Sequence, residues 1–166
     1  GDYLVDIVLT NDKVIENYII KKDMGNYLIA LSEDEIYFIM KKHISKIFKN
    51  YKFKDERIIE TAYYNVDKYD WKLLKNRICW IETVKGLDWC FIIDDTNEKE
   101  LKARSVHSQC FASKDQITIK IEDIFYIKVD GRYIRQLREI YKKYKNESIV
   151  KNYENLYSQI YLVSSH

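Results

Sequence analysis

The stretch VDIVLTNDKVIENYIIKKDMGNYLIAL, residues 5–31, decides the predicted fold class of this chain. Apolar and polar residues alternate through it, and Asn11-Asp12 and Met24-Gly25-Asn26 interrupt the alternation. A period of two places successive side chains on opposite faces of a strand, and Asn, Asp and Gly favour tight turns. The stretch therefore predicts three antiparallel strands joined by two short turns.

Outward from this stretch the chain divides into four blocks, which we expect to pack as one compact unit. Apolar residues recur every three or four positions over 55–76 and 132–163, and this spacing predicts helices. The predicted class is α+β, with a small, strongly bent antiparallel β-barrel or sheets that a middle helix and C-terminal helices cover. The predicted blocks are a β-meander or small barrel over 1–50, a connecting helix over 51–76, a second β unit over 77–131 and C-terminal helices over 132–166.

Two segments of the chain resemble each other. DEIYFIMKKHISKIFK (34–49) and DQITIKIEDIFYIKV (115–129) both run Asp-x-Ile, an alternating strand and then Ile-x-x-Ile. Allowing for one inserted residue, Ile44 and Ile47 align with Ile124 and Ile127. The match suggests a duplicated small barrel with its second copy over 77–130, although any strand–turn–strand unit in a chain rich in Ile and Lys would produce a similar pattern.

Residues 5–47 resemble the Sm-like (SH3-like) small β-barrel, whose motifs span three strands and then two. The resemblance implies a bent five-stranded barrel with an RNA pocket, and the family's pocket Asp and Asn would fall near Asp23 and Asn26. Glu16-Asn17 stands where the family has a glycine. Lys41-Lys42-His43 replaces the family's basic-glycine pair.

The composition excludes strong global attraction to nucleic acid or membrane, because 28 basic residues balance 26 acidic ones and the net charge is only +2. Hydrophobic residues make up 46% of the chain, enough for a packed core. The chain has no proline and 15 tyrosines. With abundant Lys, Ile and Asn, this composition indicates an AT-rich genome, bacterial or phage.

Three cysteines, Cys79, Cys90 and Cys110, form neither a disulfide framework nor a zinc motif. An odd number without motif spacing is typical of reduced thiols in a cytoplasmic protein. A disulfide between Cys79 and Cys90, which flank a predicted hairpin, is the alternative. His107 and Cys110 are three residues apart on a predicted strand or loop, where they would not meet as a catalytic pair.

One motif suggests metal-dependent nuclease chemistry. Asp88 or Asp94, followed by Glu100 and Lys102, looks like the Asp…Glu-x-Lys core of restriction-type nucleases. In that core two carboxylates hold Mg²⁺ and the lysine steadies the attacked phosphate. The motif arises readily by chance in a chain rich in Glu and Lys, so we predict no catalytic residue, no metal and no cofactor, and keep the nuclease as an alternative.

Two basic-aromatic stretches suggest nucleic-acid binding. They cover 41–54 and 132–145 and interleave Lys or Arg with aromatic residues, a mixture that contacts phosphates and stacks on bases. A solvated outer helix face is the other interpretation. The candidate nucleic-acid-binding residues are Lys41, Lys42, Arg135, Arg138, Lys142 and Lys145.

Tyrosines cluster in the last third of the chain, and tyrosine is favoured at protein interfaces. Tyr153 and Tyr157 are the candidate partner-binding residues. The leading hypothesis is a cytoplasmic, non-enzymatic binding module that occludes or regulates a protein partner, as an immunity protein, inhibitor or regulator would. An RNA- or DNA-binding module and the nuclease are the alternatives. We predict no membrane span, and the sequence leaves the oligomeric state open.

Overall fold

A computed structural model describes residues 3–32, 35–53, 74–107 and 111–129 of the protein. In these residues the chain forms eleven strands, and 3-10 turns at Lys41–His43 and Ile121–Asp123 precede the fifth and the last of them. The strands are β1 (Tyr3–Leu9), β2 (Val14–Asp23), β3 (Tyr27–Leu31), β4 (Ile36–Met40), β5 (Ile44–Phe53), β6 (Ile78–Thr83), β7 (Asp88–Thr96), β8 (Glu100–His107), β9 (Phe111–Ala112), β10 (Ile117–Lys120) and β11 (Ile124–Val129).

The strands predicted from residues 5–31 are present as β1, β2 and β3. Residues of alternate burial line β1, and the turns fall where the alternation stops. Asp12 and Gly25 adopt positive φ values of 68° and 95°, which tight turns between strands require. Asn17 also has a positive φ of 65°, and its amide donates to the Asp6 carboxylate at 3.0 Å. This contact stabilises an irregular pairing between β1 and β2.

The predicted α+β class is wrong for the described part of the chain. The strands form an antiparallel sheet in the order β10-β8-β7-β6-β11-β4-β3-β2-β1-β5, and β9 pairs with β8. The predicted helices over 55–76 and 132–163 lie outside the described residues, except that 74–76 form a turn. The covering role assigned to helices is filled by strands, because β4 and β11 join two β units that bury both faces of β4 between them.

The two β units share one strand order. The first unit comprises β1 to β5 in the order β4-β3-β2-β1-β5, and the second comprises β6, β7, β8, β10 and β11 in the order β10-β8-β7-β6-β11. When the strands of each unit are numbered along the chain, with β9 left out, their order across the sheet is therefore 4-3-2-1-5 in both units. The pairing of second with third strand shifts at the same place in both, between Ile20 and Lys22 in the first unit and between Ile93 and Asp95 in the second.

Backbone hydrogen bonds also recur at equivalent places in the two units. In the first type, an amide that follows the first strand of the unit donates to the last carbonyl of the 3-10 turn. In the second type, the first amide of the 3-10 turn donates to a carbonyl in the turn between the second and third strands. Matching contacts of this kind require matching backbone paths. The bonds are Thr10 N to His43 O (2.8 Å) and Val84 N to Asp123 O (2.7 Å), then Lys41 N to Asn26 O (2.9 Å) and Ile121 N to Lys99 O (2.9 Å).

The junction of the units is the antiparallel pair β4–β11. Ile127 lies opposite Phe38, and both side chains are fully buried at 0% exposure. Phe38 belongs to a core cluster that reaches into the second unit, whereas its neighbours Tyr37 and Ile39 face a second cluster with Tyr126. The two units thus share their core across this strand pair, and turns from both are brought to one side of it.

A candidate binding cleft where the two units meet

A cleft with a volume of about 760 Å³ lies on this side. This size falls within the range of small-ligand pockets, roughly 300–1,000 Å³. The turn between second and third strands and the 3-10 turn of each unit form its walls. The lining residues are Gly25, Asn26, Met40, Lys41, Lys42, Glu98, Lys99, Glu100, Lys120, Ile121 and Glu122.

The wall from the first unit is built around Asp23. Its carboxylate accepts a hydrogen bond from the Gly25 amide at 2.9 Å and two from Lys41 Nζ, at 2.8 and 3.0 Å. The Lys41 bond, followed by the Gly25 amide, holds the pKa of Asp23 below its ordinary value. The Lys41 amide in turn donates to the Asn26 carbonyl. Lys41 therefore holds the 3-10 turn against the β2–β3 turn through both its side chain and its backbone amide.

The wall from the second unit is organised by Asn97. Its side-chain oxygen accepts hydrogen bonds from the amides of Lys99, at 2.8 Å, and Glu100, at 3.0 Å. An Asn side chain that bonds the backbone two or three residues ahead fixes a tight turn. The Glu100 carboxylate lies 3.6 Å from Lys102 Nζ, which also donates to Thr118 Oγ1 at 3.0 Å. Lys99 and Glu100, whose backbone amides Asn97 holds, both line the cleft.

The cleft combines both signs of charge with an apolar lining. Four lysines and three glutamates surround it, and its apolar lining comes from the buried side chains of Met40 and Ile121. Among the described residues, no ion pair involves Lys42, Lys99 or Lys120. These exposed ammonium groups, beside carboxylates of the same rim, can pair with a ligand that carries both charges and an apolar group.

A second polar cluster surrounds three tyrosines that make edge-to-face and tilted ring contacts at the unit junction. The ring centroids of Tyr18 and Tyr37 lie 5.0 Å apart, and those of Tyr37 and Tyr126 lie 5.2 Å apart. Tyr18 donates its hydroxyl proton to Glu35, and Lys13 Nζ donates to the Tyr126 hydroxyl at 2.6 Å. Burial raises the pKa of Tyr37 to about 12, and burial also raises the pKa of Tyr18 and of Tyr126.

Two of the six predicted nucleic-acid-binding residues lie in the described ranges. The other four, and both predicted partner-binding residues, lie outside them. Lys41 and Lys42 lie in the cleft, on its first wall. The structure brings them together with Lys99 and Lys120, which sequence reasoning did not select. Residues outside the described ranges are Arg135, Arg138, Lys142, Lys145, Tyr153 and Tyr157.

The three residues of the nuclease alternative are separated along the sheet. Asp88 begins β7 and accepts a hydrogen bond from Trp80 Nε1 at 2.6 Å. Glu100 begins β8, which pairs with the opposite end of β7. At about 3.3 Å per strand residue, the length of β7 puts roughly 25 Å between Asp88 and Glu100. Lys102 lies beside Glu100 and shares its end of the sheet.

The remaining candidate acids and thiols lie elsewhere. Asp94 accepts a two-pronged interaction from Arg104, at 2.9–3.1 Å, and a bond from Gln116 at 3.1 Å. In the described ranges no three His, Cys, Asp or Glu side chains cluster closely enough to hold a metal ion. Neither Cys79 nor Cys90 forms a disulfide, and Cys110 lies outside the described residues.

One feature of the sequence could have indicated a cleft residue that the sequence analysis did not select. The similarity between 34–49 and 115–129 aligns the two 3-10 turns, and hence Lys120 with the cleft wall that carries Lys41. Alternation alone, however, does not reveal that the two turns face each other.

No protein-family model matches the chain, and a search of curated proteins found no match. Similarity to the Sm-like barrel therefore stays a prediction. Among the helices of the described residues, none is long and apolar enough to cross a membrane.

Proposed function

We propose that this protein is a non-enzymatic binding module that receives a segment of a protein partner in the cleft between its two β units. The observation that supports the proposal is the cleft's composition: four lysines and three glutamates line it together with the apolar side chains of Met40 and Ile121. A protein segment with an apolar side chain flanked by charges of both signs complements this arrangement. A partner held there would be occluded, which is the action of an inhibitor, an immunity protein or a cytoplasmic regulator.

Charge favours a protein over a nucleic acid as the occupant. A nucleic-acid backbone presents negative charge throughout, so each glutamate of the cleft opposes it. A protein segment can place a lysine or arginine against Glu98 or Glu122 and a carboxylate against Lys99 or Lys120. Such complementary pairs contribute mainly to specificity and to the association rate, whereas an apolar anchor in the lining supplies affinity.

Capture from the native host tests this proposal. The wild-type protein, a Lys42→Glu/Lys99→Glu variant and a Lys114→Glu control are each used as bait. Lys114 is an exposed lysine outside the cleft. We expect the wild type and the control to retain the same protein after nuclease treatment, and the cleft variant to retain at least tenfold less. Equal retention by all three baits would contradict the assignment to the cleft.

A second candidate function is binding of single-stranded RNA or DNA. The observation that favours it is the convergence of four lysines, Lys41, Lys42, Lys99 and Lys120, on one cleft. Four phosphate contacts on a single strand give a slope of log affinity against log salt of about −2.8. If capture is lost on nuclease treatment and binding to a single strand shows this slope, the second function replaces the first.

A further inference from the structure

The two outer edges of the sheet are equivalent to the two strands that join the units internally. Among the described residues, β5 pairs only with β1 and β10 only with β8, so each ends the sheet. In the strand order of its unit, β5 corresponds to β11 and β10 corresponds to β4. Within the chain, the fifth strand of one unit, β11, pairs with the fourth strand of the other, β4. The two outer edges of the sheet are again a fifth strand, β5, and a fourth strand, β10.

Burial shows what the internal pairing contributes. Ile47 on β5 and Ile127 on β11 hold the same position, since Ile47 lies opposite Ile7 on the first strand of its unit and Ile127 lies opposite Ile81. Ile127, covered by β4, is 0% exposed, whereas Ile47 is 43% exposed. Phe48, the next residue on β5, is 52% exposed. β5 also carries Lys46, Lys49 and Lys52, the residue type that guards edge strands, but its Ile47-Phe48 pair leaves apolar surface on the uncovered edge, and such surface favours pairing with another strand.

We propose that β5 of one copy pairs antiparallel with β10 of a second copy of this chain, in the register that joins β11 to β4. In the internal pair, Lys128 lies opposite Tyr37. Phe48 follows Ile47 as Lys128 follows Ile127, and Ile117 lies four residues before the start of its 3-10 turn, as Tyr37 does. Transferring the register therefore places Phe48 opposite Ile117 of the other copy, and Ile117 is itself 37% exposed. The two most apolar exposed positions of the two edges thus meet. A second copy is the occupant because the chain already contains one instance of this interface.

The contact is heterologous, since a β5 edge always meets a β10 edge. Each added copy leaves one edge of each kind, so assembly continues until the copies close into a ring or extend as a fibre. A four-residue strand such as β10 makes a small interface, at the weak end of the range for protein contacts. Association is therefore concentration-dependent.

Sedimentation velocity over a wide concentration range tests the proposal, using the wild type, Phe48→Lys, Ile117→Lys and a Val84→Lys control. Val84 is 45% exposed and lies on the β6–β7 turn, away from both edges. We expect the wild type and the control to form species larger than dimers. Each edge variant should associate at least tenfold more weakly. An equimolar mixture of Phe48→Lys and Ile117→Lys should form a one-to-one dimer, because each variant keeps the edge that the other lacks.

Three results would overturn the proposal. The first is a wild type that stays monomeric throughout, and the second is self-association by either edge variant at wild-type strength. The third is a mixture of the two variants that remains monomeric. Circular dichroism of each variant verifies that the sheet is intact, which is expected because Phe48 and Ile117 are both exposed.

Discussion

Phe38→Ala is expected to lower the free energy of unfolding by about 3–5 kcal/mol, the usual loss for truncating a buried phenylalanine. Phe38 is 0% exposed at the centre of the unit junction, where it lies opposite Ile127 and its ring centroid is 5.9 Å from that of Tyr27. Removing the ring leaves a cavity between the units that rigid paired strands cannot close. The loss should appear as a lower urea midpoint with a similar dependence on denaturant concentration.

Phe48→Ala is the matched control, because it removes the same ring from the exposed edge strand β5. We expect this variant to change the free energy of unfolding by less than about 1 kcal/mol when measured at low concentration, where chains are separate. Equal losses for the two variants would show that the β4–β11 pair does not hold the core. A loss above 3 kcal/mol for Phe48→Ala alone would reverse the assignment of buried and exposed strands.

Alkaline pH is expected to unfold the protein through its three buried tyrosines at the unit junction, Tyr18, Tyr37 and Tyr126. In the unfolded chain a tyrosine loses its proton near pH 10, whereas burial keeps Tyr37 protonated to about pH 12. Tyr18 and Tyr126 also have a raised pKa. A raised pKa means that the folded state holds more protons, so its stability is complete below pH 10 and falls as the pH rises. Each such tyrosine contributes about 1.4 kcal/mol per pH unit of decline.

Urea titrations at a series of pH values above 10 measure this decline, with tyrosinate absorbance recorded in parallel. Three buried tyrosines predict a fall of at most about 4 kcal/mol per pH unit, and Tyr37→Phe should reduce the slope. The two proteins differ only at position 37, so every other group is common to both and the difference in slope reports Tyr37. Because Tyr37 stays protonated near pH 10, Tyr37→Phe should leave the absorbance change at that pH unaltered, and a smaller change there while the sheet signal persists would contradict the burial of Tyr37.

Alternation predicted individual strands well because most of them are half-buried. Residues 5–31 contain the apolar positions and turns that became β1, β2 and β3. The same reasoning could not predict which strand edges pair. The pair of Phe38 with Ile127 joins residues 89 positions apart in sequence, and alternation describes faces rather than edges.

The α+β prediction was wrong for the described residues because it assigned helices to cover the sheet. Tyr37 and Phe38 are neighbours on β4, yet both are buried, which requires packing on both faces of the strand. The second unit supplies part of that packing through Tyr126 and Ile127. A continuous apolar run such as IYFIM, residues 36–40, is typical of a strand covered on both faces, and it is the signal that favoured this arrangement.

The cleft was predictable only in part. Lys41 and Lys42 were selected from a basic stretch, but Lys99 and Lys120 lie in segments without a basic run. Their convergence depends on the β4–β11 pairing, which brings turns that are distant in sequence to one side of the sheet. The sequence could therefore suggest a basic element but not the mixed-charge cleft of which it is one wall.

Site-specific photo-crosslinking tests most directly whether the cleft is the partner site. A photoreactive amino acid replaces Lys99, within the cleft, or Lys114, outside it, and each variant is illuminated in the native host. We expect position 99 to give a covalent adduct with one protein that survives nuclease treatment, at least tenfold more abundant than any adduct from position 114. An adduct with nucleic acid, or equal adducts from both positions, would contradict a protein-binding cleft.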